Sequence, residues 1–262
     1  MVGASSAVVA APKAELWERW TRHDANSTRV LNHELWARFL QRYVVTSADG
    51  INRVKYREVS VDDSGFLRVY LDQLQRTPVS TLRREEQRAY WINLYNAQTL
   101  KLVLDRYPVK SILDISISPG FFAKGPWGAR VMKVEDESLS LDDIEHRILR
   151  PIWRDPRLHY AVNCGSVGCP SLAREPYTAS NTEALLEAGA RAYVNHSRGV
   201  KVVDGRLYVS SLYTWYKHDF GRNDAEVIEH LRRYAEPELA AQLQGIHRIA
   251  GEDYDWALHD AR

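Results

Sequence analysis

Only two cysteines occur in the 262 residues, too few for a disulfide-stapled scaffold. There is no excess of charge of either sign: 35 Lys and Arg face 34 Asp and Glu, and the basic residues are dispersed. Neither a nucleic-acid footprint nor a polybasic membrane anchor is expected. Hydrophobic runs of bilayer-spanning length are missing, so no membrane insertion is expected. No Gly-rich phosphate fingerprint follows a strand and no βα alternation is visible, which argues against nucleotide binding. Repeats and low-complexity tracts are also absent, and no cofactor is expected.

What remains is a chain that is 45% hydrophobic and 26% charged, enough for a substantial core, with eight Trp and fourteen Tyr that can pack it or line a groove. Val8 to Ala11, with small residues before Pro12, lacks the positive n-region of an intact signal peptide but fits the tail of one. Residues 1–13 are therefore read as a disordered tail or an export-signal remnant. The expected location is exported or periplasmic, with the cytoplasm as the alternative.

Residues 14–79 read as a helical extension packed on the core, with two amphipathic helices over 14–43 broken near Asn26-Ser27 and another over 64–74. From Leu82 to Arg106 there is no Gly or Pro, apolar residues recur at helical spacing, and Pro108 closes the run. This predicts the central helix of a main domain over 80–262. Asn93 and Asn96 interrupt its apolar face, so their amides satisfy loop backbone or hold a ligand. Ala129 to Val134 and Leu158 to Asn163 read as strands, and Ser140 with Asp143 starts a short helix carrying Glu145 and His146. Asp204-Gly205 between alternating residues 200–209 predicts a two-residue hairpin turn. Helices are expected over 182–195, 212–220, 224–235 and 237–244.

Both cysteines sit in RLHYAVNCGSVGCPSL, residues 157–172. They are small core residues, a disulfide across the C-x4-C loop, or a reactive thiol beside His159. A thiol nucleophile needs a base, and the base needs an orienting acceptor. Cys164 or Cys169, His159 or His146, and Glu145 supply these roles within a short stretch, with Glu86 as a second carboxylate. Cys164 is favoured because Gly165 and Ser166 follow it with backbone N–H groups able to serve an oxyanion. A zinc site from Cys164, Cys169, His159 and His146 is disfavoured by the C-x4-C spacing, and no metal is expected. His218-Asp219 reads as a charge pair at a helix C-terminus. A non-catalytic binding module would use Phe121, Phe122 and Trp127 with Asn93 and Asn96.

Five strings in one order, AYWINLYNA (89–97), SLDDIEHRILRP (140–151), LHYAVNCGSVGCPSL (158–172), SLYTWYKHDFG (211–221) and YDWAL (254–258), resemble bacterial members of the domain-of-unknown-function 547 family. Ala257 and His259 stand where the family's tail usually has Ser and Asn. The resemblance implies distant similarity to papain-like cysteine hydrolases and transglutaminase-like folds, with a Cys, His and Glu reactive set.

Together these readings predict an α+β fold, a long central helix packed on a small, mainly antiparallel sheet. The functional expectation is a cysteine-dependent hydrolase or acyl/γ-glutamyl transferase acting on a peptide-like or small thiol-peptide substrate. Its catalytic residues are Cys164, His159, Glu145, His146, Cys169 and Glu86, with Asn93, Asn96, Ser166 and Trp127 against the substrate. The alternative is a peptide or small-ligand binding module with an aromatic groove.

Overall fold

The computed structural model describes residues 12–120 and 124–261; the readings made of residues 1–11 and of Phe121 and Phe122 lie outside the described residues. The chain enters through a 3-10 turn at Glu18–Thr21, then α1 (Glu34–Tyr43), the β1–β2 hairpin (Val44–Thr46, Asn52–Val54) and α2 (Val61–Gln75). The central helix α3 spans Arg84–Leu104. After it come a second hairpin, β3–β4 (Met132–Val134, Glu137–Leu139), a π-helix (Asp143–Leu149) and α4 (Arg150–Trp153). The C-terminal part holds α5 (Thr182–Val194), β5 and β6 (Val200–Val203, Arg206–Ser210) and α6 and α7 (Leu212–Trp215, Lys217–Phe220). It ends with α8 (Asp224–Tyr234), α9 (Pro237–Gln242) and β7 (Ile249–Asp253).

The fold is α+β, but among the described residues the strands divide into three small sheets instead of one. β1–β2, β3–β4 and β5–β6 are antiparallel hairpins, and β7 joins β6 in parallel. Asp204 and Gly205 adopt φ of 50° and 71°, the left-handed pair that a two-residue turn requires. Leu158 to Asn163 is not a strand. Asp155 caps a 3-10 helix, Pro156–Tyr160, by accepting from Arg157 N, and Pro156 sits in its first turn where no N–H is needed.

Two apolar clusters hold the chain. One joins Trp36, Phe39 and Leu40 of α1 and Leu67 and Leu71 of α2 to α3 and to Ile144 and Ile148 of the π-helix, so the N-terminal extension shares the main core. The other packs α5 and α8 on the β5–β6 hairpin. α3 is buried on nearly every side, which explains why polar residues inside it need dedicated partners.

The π-helix has a sequence cause. Pro151 has no N–H to give Arg147 O, and Arg150 N bonds Glu145 O five residues back. The carbonyls of His146 and Arg147, freed from intrahelical bonding, accept from Glu15 N at 2.9 Å and Trp17 N at 3.0 Å. The expected capping box is present: Ser140 Oγ accepts from Asp143 N, and Asp143 Oδ2 accepts from Ser140 N, each at 3.0 Å.

Candidate functional site

The cysteine loop is fixed from two sides. From α3, Asn96 donates to Ala161 O and accepts from Asn163 N, both at 2.8 Å. Asn163 in turn donates to Pro170 O at 2.7 Å and accepts from Gly165 N at 2.9 Å, closing the loop on itself. Asn93 makes the same two-way clamp on Tyr177, donating to its carbonyl at 2.7 Å and accepting from its N–H at 3.0 Å. Both amides are buried and engaged by backbone. They therefore hold the site's loops, which corrects the expectation that they touch substrate.

From the other side, the C-terminal segment runs along the loop. Val167 N and Gly168 N each donate at 2.8 Å, to Ala257 O and Asp255 O, and His259 N donates to Gly165 O at 3.0 Å. Gly165 turns with φ of 87°, and a Cβ on Gly168 would lie 2.9 Å from both the N and O of Asp255, so only glycine admits this close approach. Behind the loop, the Arg198 guanidinium donates at 2.8 Å to Val167 O and to Ser171 Oγ.

The docked segment delivers Tyr254 to the thiol. Cys164 Sγ, Ser166 Oγ and Tyr254 OH form a triangle with sides of 3.0, 3.1 and 3.0 Å. Cys169 Sγ accepts from Cys164 N at 2.9 Å, and neither cysteine is in a disulfide. Burial by itself raises the Cys164 pKa, but hydrogen bonds from Cys169, Ser166 and Tyr254, with the Ser166 N–H, outweigh it and bring the thiol down to about 7. Burial and the neighbouring Cys164 hold the Cys169 thiol well above its ordinary range. Burial and the Cys164 charge do the same to the Tyr254 phenol, which keeps its proton. The backbone groups proposed for an oxyanion are engaged differently: Gly165 N–H bonds Asn163 Oδ1, and Ser166 N–H favours the thiolate.

The histidines form a separate cluster. His159 Nε2 meets Asp219 Oδ2 at 2.7 Å, and its Nδ1 faces Glu145 Oε1 at 3.7 Å. Arg150 Nε donates to the same Asp219 oxygen at 2.6 Å, and Arg150 Nη1 donates to His146 Nδ1 at 3.0 Å. Tyr216 packs against both, its ring centroid 4.2 Å from that of His159 and 4.8 Å from the Arg150 guanidinium carbon. Burial alone would raise the Asp219 pKa, yet the bonds from His159 and Arg150 hold it well below the usual carboxylate range.

Among the described residues no imidazole bonds either sulfur, so the expected Cys–His contact is not made. The reason is local. His159 sits on a 3-10 helix whose side chain turns toward α7, and the π-helix commits His146 to Arg150. Asp219, not Glu145 or Glu86, makes the close carboxylate contact to His159. Glu86 is buried and accepts from Leu31 N at 2.8 Å, tying down the N-terminal extension. Glu145 accepts from Tyr95 OH at 3.1 Å. The charges of Glu145 and Cys164 both bear on the Tyr95 and Tyr216 hydroxyls, so the two clusters share one neighbourhood.

An aromatic wall flanks the thiol. Tyr254 packs on Trp215 and on Trp256, each at 4.7 Å between centroids; Trp215 stacks on Trp256 at 5.5 Å, and Trp127 meets Trp256 edge-on at 5.9 Å. Trp127, expected against the substrate, lies in this wall. Tyr254 and Asp219, the two residues that set the partners of Cys164 and His159, were missed. Their only sequence signal was position within the YDWAL and SLYTWYKHDFG strings.

Fold and site define an α+β protein built around a half-buried thiol held between a glycine-containing loop and an aromatic wall. Residues 79–194 match the family described as "Protein of unknown function, DUF547". The match holds α3, the π-helix, His159 and both cysteines, while Asp219 and Tyr254 lie C-terminal to it. No curated protein and no solved structure matches the chain. Among the described residues no helix is long and apolar enough to cross a membrane, and no group of His, Cys, Asp and Glu is arranged to hold a metal ion.

Proposed function

We propose that this protein is a cysteine-dependent hydrolase or acyl transferase acting on a peptide-like substrate, with Cys164 as the nucleophile. The observation that carries the reading is the set of donors on the sulfur of half-buried Cys164, which keeps a large fraction of it as thiolate near neutral pH without an imidazole base. The thiolate attacks the substrate's carbonyl carbon, the C–N bond breaks, and the amine leaves with a proton from the Tyr254–Ser166 hydroxyl pair, which solvent restores. Water or an amine then cleaves the thioester and releases the sulfur. Glu145, with its charge felt by the same tyrosines, is the base assigned to this second step, and His159 with Asp219 holds the charge balance around it. The wall of Trp127, Trp256 and Trp215 receives an apolar or aromatic side chain of the substrate.

The test is acyl-enzyme trapping. The purified chain is mixed with activated peptide esters bearing phenylalanine or glycine at the acyl position, quenched in acid and mapped by mass spectrometry. An adduct on Cys164, faster with phenylalanine and absent in Cys164→Ala, is the expected result. Adducts that form equally well in Cys164→Ala would overturn the reading. If esters do not acylate Cys164 but aromatic peptides quench the tryptophan fluorescence, the same wall serves a binding module, the second reading.

A further inference from the structure

The acyl-transfer reading uses one thiol and leaves the other without a role. Cys169 is 4% exposed, while Cys164 is only partly buried. Cys169 Sγ lies 2.9 Å from Cys164 N. Adding one N–Cα bond and the reach of a cysteine side chain places the two Cα atoms within roughly 7 Å, about the span of a disulfide. The loop between them is drawn tight by Cys169 N donating to Ser166 O at 3.2 Å and by Asn163 bonding Pro170 O at 2.7 Å.

We propose that Cys164 and Cys169 are a dithiol centre that a peroxide oxidises to a reversible intramolecular disulfide, with Cys164 reacting first and Cys169 resolving. The Cys164 thiolate attacks one peroxide oxygen, the O–O bond breaks, and the leaving oxygen takes a proton to depart as water or alcohol. Cys164 is then a sulfenic acid. Cys169 sulfur attacks it, the S–O bond breaks, the departing hydroxide takes the Cys169 proton, and a second water leaves as the S–S bond forms. The two sulfurs together lose two electrons and the peroxide gains them. A small dithiol reverses the reaction by attack through a mixed disulfide.

The division of labour follows from position and protonation. The thiol of the less buried cysteine is the one whose pKa is brought down, and the more buried one keeps its proton until the sulfenic acid forms beside it. A neighbouring resolving thiol also protects Cys164 from further oxidation, because the disulfide forms before a second peroxide arrives. None of these steps depends on acyl transfer, so failure of the ester-trapping experiment leaves the proposal standing.

The experiment treats the reduced full-length chain with hydrogen peroxide, alkylates it under denaturing conditions, and reads intact mass and free thiols. The expected result is loss of two hydrogens, loss of both titratable thiols together, and recovery of both with dithiothreitol. In Cys169→Ser, Cys164 should gain one oxygen and be captured by dimedone. Wild-type protein that adds oxygen to Cys164 while Cys169 still titrates would overturn the proposal. So would loss of the Cys169 thiol in Cys164→Ser at the wild-type rate. The wild-type measurement decides the matter even where a variant fails to fold.

Discussion

Tyr254 and Cys164 stand 90 residues apart in the chain, yet the phenol oxygen lies 3.1 Å from the sulfur. The contact makes the acidity of one side chain depend on where a distant segment docks. The phenol keeps its proton and can donate to the thiolate, a charge-assisted bond that is stronger than one between neutral groups.

Tyr254→Phe removes that donor and leaves the ring. A hydrogen bond to a charged group contributes about 1.5–3 kcal/mol, so the Cys164 pKa should rise from about 7 by roughly one unit or more. Alkylation by iodoacetamide followed against pH reads this directly: the midpoint moves up and the rate at neutral pH falls several-fold. An unchanged midpoint would show that Ser166 and Cys169 suffice.

Asp219→Asn should destabilise the fold by about 3 kcal/mol in urea denaturation, because it leaves buried Arg150 and His159 facing a neutral amide. The pH dependence has a definite sign. The folded-state carboxyl pKa is depressed, so its stabilisation is complete above the ordinary carboxyl range of about 4 and is lost as pH falls below it. Wild type should therefore lose stability through the acid range more steeply than the variant.

Asn96→Ala should cost about 2–4 kcal/mol, since it leaves the buried carbonyl of Ala161 and the N–H of Asn163 without partners. The same variant loosens the cysteine loop, so fast thiol alkylation near neutral pH should weaken along with stability. Loss of stability with the alkylation profile intact would separate the clamp from the thiol's environment.

Gly168→Ala places a methyl 2.9 Å from the backbone of Asp255 and must displace the segment that carries Tyr254. Its alkylation midpoint should move in the same direction as that of Tyr254→Phe. Gly65→Ala, with open space around the new methyl, is the control and should be neutral or slightly stabilising.

How much of this was legible in the sequence depended on the range of the interaction. The span of α3, the capping box at Ser140 and the Asp204-Gly205 hairpin were legible because their causes lie within a few residues. Leu158 to Asn163 was misread as a strand because its apolar residues pack as a 3-10 helix after Pro156, and short apolar runs do not distinguish the two by periodicity. The π-helix was not expected, because the donors that take up its freed carbonyls, Glu15 and Trp17, lie well over a hundred residues upstream of them. At the candidate site, the closeness of the cysteines and Ser166 is legible because they are neighbours in the chain. His159–Asp219 and Cys164–Tyr254 were not, because chain spacing carries no record of contacts 60 and 90 residues apart.

The pairing of the 254–259 segment with the cysteine loop also gives the chain a built-in order of events. Contacts between distant segments form against a loop-closure entropy and tend to come late in folding. Until that segment docks, Cys164 is a thiol of ordinary acidity on an unfinished domain, slow to react with esters or oxidants near neutral pH. The Cys164 thiol is therefore acidified only when folding is complete, and the appearance of a fast-alkylating thiol marks that moment in a refolding time course.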